Sequence, residues 1–475
     1  EEQFSLEFKV NARLILMLLS TTKGFTNNMA VYDPQNCQYF EKETFTYNDD
    51  VHNWIINRPI MKYVFKHSDG NEKVGFVKAY VYDYESPFRV IEETKVPNCK
   101  YDITDSLTIA VEYKYDKIGN VILQRVSSPS LEHDKVVRCE YGELYNYMYK
   151  TKNVDELGRV IRSSYNPDYG FMVSTIDYND YVTKNEKHPL GINDVVTLPD
   201  GMVKARVIRW AEGNEHSPVD ATYYVWEKST GMSEDMTFYH KSGMELRSVS
   251  FDIEGNAIYI DKEYDDLGNL IRESMPYYRN DEKLYVLNVY DKYNRLVERR
   301  LPNGITSRFK HDGNTLVTEF STVDGKKQTK KETYNIMGWL VETIDNGSNN
   351  ILYDYYSDGS VKSASIEKNP NSKITFTYDN LRNKKSMCDP NYGLVSYEYD
   401  ALGNLKKVNT PSGDKFEFQY DAIGRMLCRS EMDVELNEMK STRWIYDDAR
   451  GRDGVLKKVV SDNHEIDYVY DNALR

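Results

Sequence analysis

The residues with the clearest chemical capacity are acidic, and they recur in one setting. An Asp follows a Tyr in Tyr399-Asp400-Ala401-Leu402-Gly403-Asn404 and in Tyr420-Asp421-Ala422-Ile423-Gly424-Arg425. Paired carboxylates can perform acid–base work on a glycosidic bond, and acidic doublets such as Asp265-Asp266 and Asp447-Asp448 can ligate Ca²⁺. Neither pattern is completed: the chain lacks a DxDxDG run, a HExxH pair, a GxSxG elbow and a GxxxxGK[ST] loop. The eight histidines, His52, His67, His133, His188, His216, His240, His311 and His464, are dispersed. The five cysteines, Cys37, Cys99, Cys139, Cys388 and Cys428, form no CxxC motif. They are expected to be free thiols buried on strands. The sequence therefore predicts no catalytic residue, no cofactor and no metal site.

The repeated Asp has a structural use instead. Its side chain can accept a hydrogen bond from the amide two residues on, and the Gly three residues on can take a positive φ. Together they close a hairpin through a type I turn and a bulge. On this reading Asp400 and Gly403 are turn residues, and Asp400→Asn is a mild change because Asn makes the same turn.

Between the turns the chain alternates with period two. Phe416, Phe418 and Tyr420 share one face, and Lys415, Glu417 and Gln419 the other. Val395, Tyr397 and Tyr399 repeat this, as do Ile374, Phe376 and Tyr378. Such alternation indicates half-buried strands. A second turn signal closes the far end of each unit, at Pro411-Ser412-Gly413, Pro390-Asn391-Tyr392-Gly393 and Pro302-Asn303-Gly304. Tyr378, Tyr399 and Tyr420 stand 21 residues apart. A fixed period of this size marks a repeat array.

Further copies of the phrase are Tyr115-Asp116 with Gly119, Asp155 with Gly158, Tyr264-Asp265 with Gly268, Tyr290-Asp291, Tyr334 with Gly338, Tyr378-Asp379, Asp421 with Gly424, and Tyr470-Asp471. In the copy at Asp291 the Gly position holds Asn294, the next residue best able to adopt the left-handed conformation. Tyr378, Tyr399 and Tyr420 are expected to form a column along the sheet, with their Asp neighbours on one rim. No helix is needed, although a short one is compatible with the polar stretch from Glu431 to Lys440.

This phrase, repeated in phase, resembles the YD-repeat (Rhs) family, which includes polymorphic-toxin shells, the B and C subunits of insecticidal toxin complexes, and the teneurin shell. The resemblance implies an all-β fold: a long antiparallel hairpin array forming a spiral β-sheet shell, or a segment of one. It implies a non-catalytic structural role, encapsulating or presenting a toxin polypeptide, with cargo or other subunits of a toxin assembly as partners. A cell-surface adhesin or glycan-binding scaffold is the alternative. The self-cleaving aspartate segment of the toxin relatives has no counterpart before Arg475. The implied location is secreted or at a bacterial cell surface.

Three regions are expected: an irregular β region at 1–100, degenerate repeats at 101–250, and a regular array at 251–475. The degenerate stretch from Pro199 to Gly231 holds Trp210 and Trp226 and reads as an insertion or a seam. A hairpin is expected around Ser68-Asp69-Gly70-Asn71. The apolar run Leu14–Leu19 is too short to span a bilayer and reads as a core strand rather than a signal peptide. A formal net charge of −14 argues against nucleic-acid partners. The sequence starts at Glu1 and ends within a repeat, so it is expected to be a piece of a longer protein.

Overall fold

A computed structural model describes residues 4–10, 13–22, 25–31, 39–49, 54–68, 74–97, 103–346, 349–367, 369–433, 438–449 and 451–471. Within these, the regular structure is antiparallel strand, with two single 3₁₀ turns at Glu143–Tyr145 and Pro370–Ser372. Consecutive strands pair as hairpins. For example, Lys384–Asp389, Gly393–Tyr399, Leu405–Asn409, Lys415–Tyr420 and Met426–Asp433 follow one another in a single meander. Among the described residues no helix forms beside Glu431. Met426–Asp433 and Glu438–Tyr446 are paired strands instead, because the alternation of Trp444 and Tyr446 continues the sheet pattern. Cys37, Cys99, His52 and the predicted turn at Asp69–Asn71 lie outside the described residues. The run Leu14–Leu19 falls within strand Arg13–Thr22.

The chain divides into two compact units. The first comprises residues 1–160, 334–342 and 350–469, and the second 161–333, 343–349 and 470–475. The second holds an aromatic core of Tyr224, Phe238, Val249, Tyr259 and Tyr277, with Ala211 and Met236 against it. Its stacked pairs follow the cross-strand register. Tyr224 lies opposite Phe238 with ring centroids 5.0 Å apart, and Tyr259 opposite Tyr277 at 5.5 Å. Such pairs contribute about 0.2–1 kcal/mol each. The stretch from Pro199 to Gly231 is no break in this unit. Strands Asn193–Thr197, Val203–Trp210 and Tyr223–Ser229 pair in sequence, and only the loop from Ala211 to Thr222 departs from the hairpin pattern.

Burial of cysteine varies more than the sequence predicts. Cys139 is buried and Cys428 half-buried, but Cys388 is exposed, on the solvent face of strand Lys384–Asp389.

Candidate functional site: the rim of Tyr-Asp turns

Each motif Tyr before Tyr470 ends a strand, and the pairing register shifts by one residue between Lys114 and Tyr115, Thr377 and Tyr378, Glu398 and Tyr399, and Gln419 and Tyr420. The same shift occurs at Tyr264 and Tyr290. The bulge arises because the next residues form a tight turn closed from both ends. In the turn after Tyr399, the Asp400 amide donates to the Asn404 carbonyl at 3.0 Å, and the Gly403 amide to the Asp400 carbonyl at 3.1 Å. Gly403 has φ +87°, which a β-branched residue adopts only under strain. Asn294 takes φ +60° in the Gly position, and Arg382 takes φ +72° in the copy at Asp379.

The Asp side chain does more than an Asx-turn requires. Asp400 Oδ1 accepts from the amides of Leu402 and Asn404, both at 2.9 Å, while Oδ2 accepts from Asn404 Nδ2 at 2.8 Å. Asp116, Asp265 and Asp379 use Asn120, Asn269 and Asn383 in the same way. Asp155, Asp291 and Asp421 use the guanidinium of Arg159, Arg295 and Arg425. The residue after the Gly is thus a working part of the turn. Its sequence signal is an Asn or Arg at that place in each of these copies. Hydrogen bonding holds the Asp265 carboxyl below its usual range, and the Arg295 side chain holds Asp291 at about 2. The turn at Asn335 is the exception: Asn335 takes the amides of Met337 and Trp339, its Nδ2 has no partner, and Trp339 packs on Tyr355 instead.

Neighbouring turns are linked. The hydroxyls of Tyr115, Tyr290 and Tyr446 donate to the carbonyls of Val90, Leu270 and Met426. Each of these is the first strand residue after the preceding turn on that rim. Burial pushes the phenols of Tyr378, Tyr399 and Tyr420 up, and the carboxylates of Asp358, Asp379 and Asp400 add to this. Each of these tyrosines therefore stands beside the turn one hairpin earlier. Tyr334 ends strand Lys327–Tyr334, Gly338 has φ +79°, and Gly119, Gly158, Gly268 and Gly424 are also at positive φ. Tyr470 and Asp471 follow the last strand without a described turn.

In the first unit this rim meets the opposite edge of earlier hairpins. Ser130 Oγ, in the turn between strands Val121–Ser127 and Lys135–Tyr141, accepts from the Ala401 amide at 2.8 Å. Ser130 and Ser128 hydroxyls are 3.3 Å apart, and Ser128 Oγ donates to the Ser106 carbonyl at 3.2 Å. Ser357 Oγ points to the Lys66 carbonyl at 3.5 Å. A cleft of about 480 Å³ beside this contact is lined by Ser130, His133, Glu398, Lys407, Glu417 and Asp421 among others.

A second polar cluster lies in the other unit and was not foreshadowed by the repeat phrase. Arg247 donates to both Asp261 carboxylate oxygens, at 2.6 and 3.1 Å, and to the His216 carbonyl at 2.9 Å. Tyr277 and Lys283 also donate to Asp261, each at 2.7 Å. Burial raises the Asp261 carboxyl, but these donors outweigh it and hold it at about 2. His216 meets Tyr259 Oη at 2.7 Å. This pins the Ala211–Thr222 loop over the aromatic core. Arg247, Tyr277 and Lys283 all converge on Asp261, as in a structural tie. Elsewhere, His188 and His240 replace the turn Asp, their Nδ1 accepting from the amides of Leu190 and Ser242. Among the described residues no cluster of three His, Cys, Asp or Glu is placed to hold a metal, and no helix is long and apolar enough to cross a membrane.

Residues 269–473 match the Teneurin YD-shell family. No curated protein sequence matches. Among solved structures, the chain is similar to the TcdB2-TccC3-TEV crystal structure at a TM-score of 0.70 and 11% identity, over 97% of this chain and 35% of that one. It is similar to the Tc holotoxin pore of Photorhabdus luminescens at 0.69 and 11%, over 94% and 33%. The TcdB2-TccC3-Cdc42 structure gives 0.67 and 12%, over 94% and 34%. The chain thus spans about a third of the length of these solved chains, and the likeness establishes the fold: an all-β hairpin array of the spiral shell class.

Proposed function

We propose that this chain, whose residues 269–473 match the Teneurin YD-shell family, is a non-catalytic wall segment of a YD-repeat shell that encloses or presents a toxin polypeptide. The observation that carries this reading is the rim itself. Its most reactive-looking groups, the repeated carboxylates, are consumed by turn amides and by the Asn or Arg that follows. A wall needs stiff, self-satisfied turns; a catalytic carboxylate needs an open lone pair near substrate. The likeness to Tc toxin structures supports a toxin assembly as the partner and a secreted protein as the setting.

The same rim speaks against motif tyrosines as sugar platforms, since hydroxyls such as those of Tyr115, Tyr290 and Tyr446 are bonded to backbone carbonyls. The three sequence regions at 1–100, 101–250 and 251–475 are then successive portions of one wall, and the motif residues its clasps. The test uses the full-length open reading frame. Polypeptide encoded after Arg475 should resist added protease in the folded protein and become digestible once the wall is unfolded. Equal digestion in both states would defeat enclosure.

A further inference from the structure

Tyr-Asp turns share the same internal hydrogen bonds but differ at one position. The turn carboxylate takes the amides at the second and fourth positions after it and leaves the first to whatever lies outside the turn. At Asp400 the first position is Ala401, 4% exposed, and its amide goes to Ser130. A related turn has Tyr356 in place of the Asp and so no carboxylate there; its first position is Ser357, 5% exposed, whose hydroxyl rather than its amide faces the Lys66 carbonyl. The first positions after Asp116, Asp265 and Asp291 are Lys117, Asp266 and Lys292, all exposed. Beside them Leu267 and Tyr293 stand 74% and 66% exposed.

We infer that the residue at this first position, directly after the turn Asp, sets whether a Tyr-Asp turn can carry another edge of the sheet. Ala or Ser makes a docking face, and its partner is the opposite, hydroxyl-bearing edge of a hairpin array. Lys or Asp leaves the turn free. The physical reason is clearance. A side chain at this position projects from the rim beside the one amide that the turn does not satisfy. A Cβ or a short hydroxyl lets another edge approach the turn and its free amide, whereas a long charged chain holds it off and loses its own hydration if covered. At Ala401 the incoming group is a hydroxyl chain from Ser130 through Ser128 to the Ser106 carbonyl, an arrangement that strengthens each link. The rule assigns Ala422, the first position after Asp421, as a third docking turn, and Ala422 lines the cleft next to the Ser130 turn.

The test reads docking apart from folding. In Ala401→Lys, cleavage after Glu132 by a glutamyl endopeptidase should rise at least tenfold, while Ala401→Ser should stay within twofold of the parent. Lys292→Ala and Asp266→Ala, on free turns, should change neither cleavage nor stability. If Ala401→Lys prevents folding, Ser130→Ala serves: the Ala401 amide should exchange at least tenfold faster with Leu402 and Asn404 unchanged. Cleavage in Ala401→Lys within twofold of the parent, or an Ala401 amide indifferent to Ser130→Ala, would overturn the rule.

Discussion

The turns at Asp400 and Asp265 carry the same chemistry in different surroundings. Both carboxylates take the second and fourth amides and an Asn side chain, with contacts between 2.8 and 3.0 Å. Yet Asp400 and Ala401 are buried, while Asp266, Leu267 and Gly268 are exposed. The turn is therefore a self-contained unit whose geometry does not depend on being covered. Covering is a separate property, added by the neighbouring edge.

The comparison can be broken most forcefully through the Arg247–Asp261 tie of the second unit. Arg247→Ala should leave Asp261 partly buried with fewer donors and destabilise the second unit by about 3 kcal/mol. Trp210 and Trp226 lie in that unit, and Trp54, Trp339 and Trp444 in the other. Urea unfolding of variants retaining only one set of tryptophans should show the loss in the second unit alone.

A smaller effect sharpens the likeness of the two turns. Gly403→Val and Gly268→Val should each cost roughly 1–2 kcal/mol, because φ is +87° and +83° and neither site is short of room. Near-equal midpoint shifts in denaturant would mark the cost as local backbone strain. A much larger shift at Gly403 would mean that docking governs the turn itself.

The acid limb gives another contrast. Asp261 titrates at about 2 in the folded chain, below an unfolded Asp near 3.9. A depressed folded value contributes stability that is complete above the unfolded value and is lost as pH falls from about 4 toward 2. After allowance for solvent screening the contribution is on the order of 1–2 kcal/mol. Asp261→Asn should flatten that part of the stability–pH curve, which stability measurements between pH 5 and 2 would check.

The smallest expected changes come from Asp→Asn. Asn keeps the amide-accepting oxygen but turns an NH₂ toward the partner side chain. Asp421→Asn should cost about 1 kcal/mol through its Arg425 ion pair, and Asp400→Asn somewhat less. The Asn335 turn shows how the chain tolerates Asn: Trp339 stands where Asn or Arg would need a carboxylate.

These details mark the boundary of what was legible. Strand alternation, the Tyr-Asp phrase and Gly at positive φ are local, so Lys415–Tyr420 and the turn at Asp421 could be read directly. The role of Asn404 and Arg425 is written in the same phrase but is hidden behind the Asx-turn, which already accounts for the Asp. Arg247, Asp261 and Tyr277 were illegible: they converge from separate hairpins and share no motif. The Ser130–Ala401 contact joins residues 271 apart, a pairing that no period of 21 residues encodes. Cys388 was misplaced since a thiol's usual burial says nothing about which face of a strand it occupies.

Native-state hydrogen exchange of the two turns tests the central claim, that the repeated Asp is a structural clasp, most directly. Leu402 and Asn404 should be protected to the same degree as Leu267 and Asn269, and Asp400→Ala and Asp265→Ala should each abolish protection in their own turn. Ala401 alone should add protection that Asp266 lacks. Amides that stay protected after the Asp is removed would contradict the account.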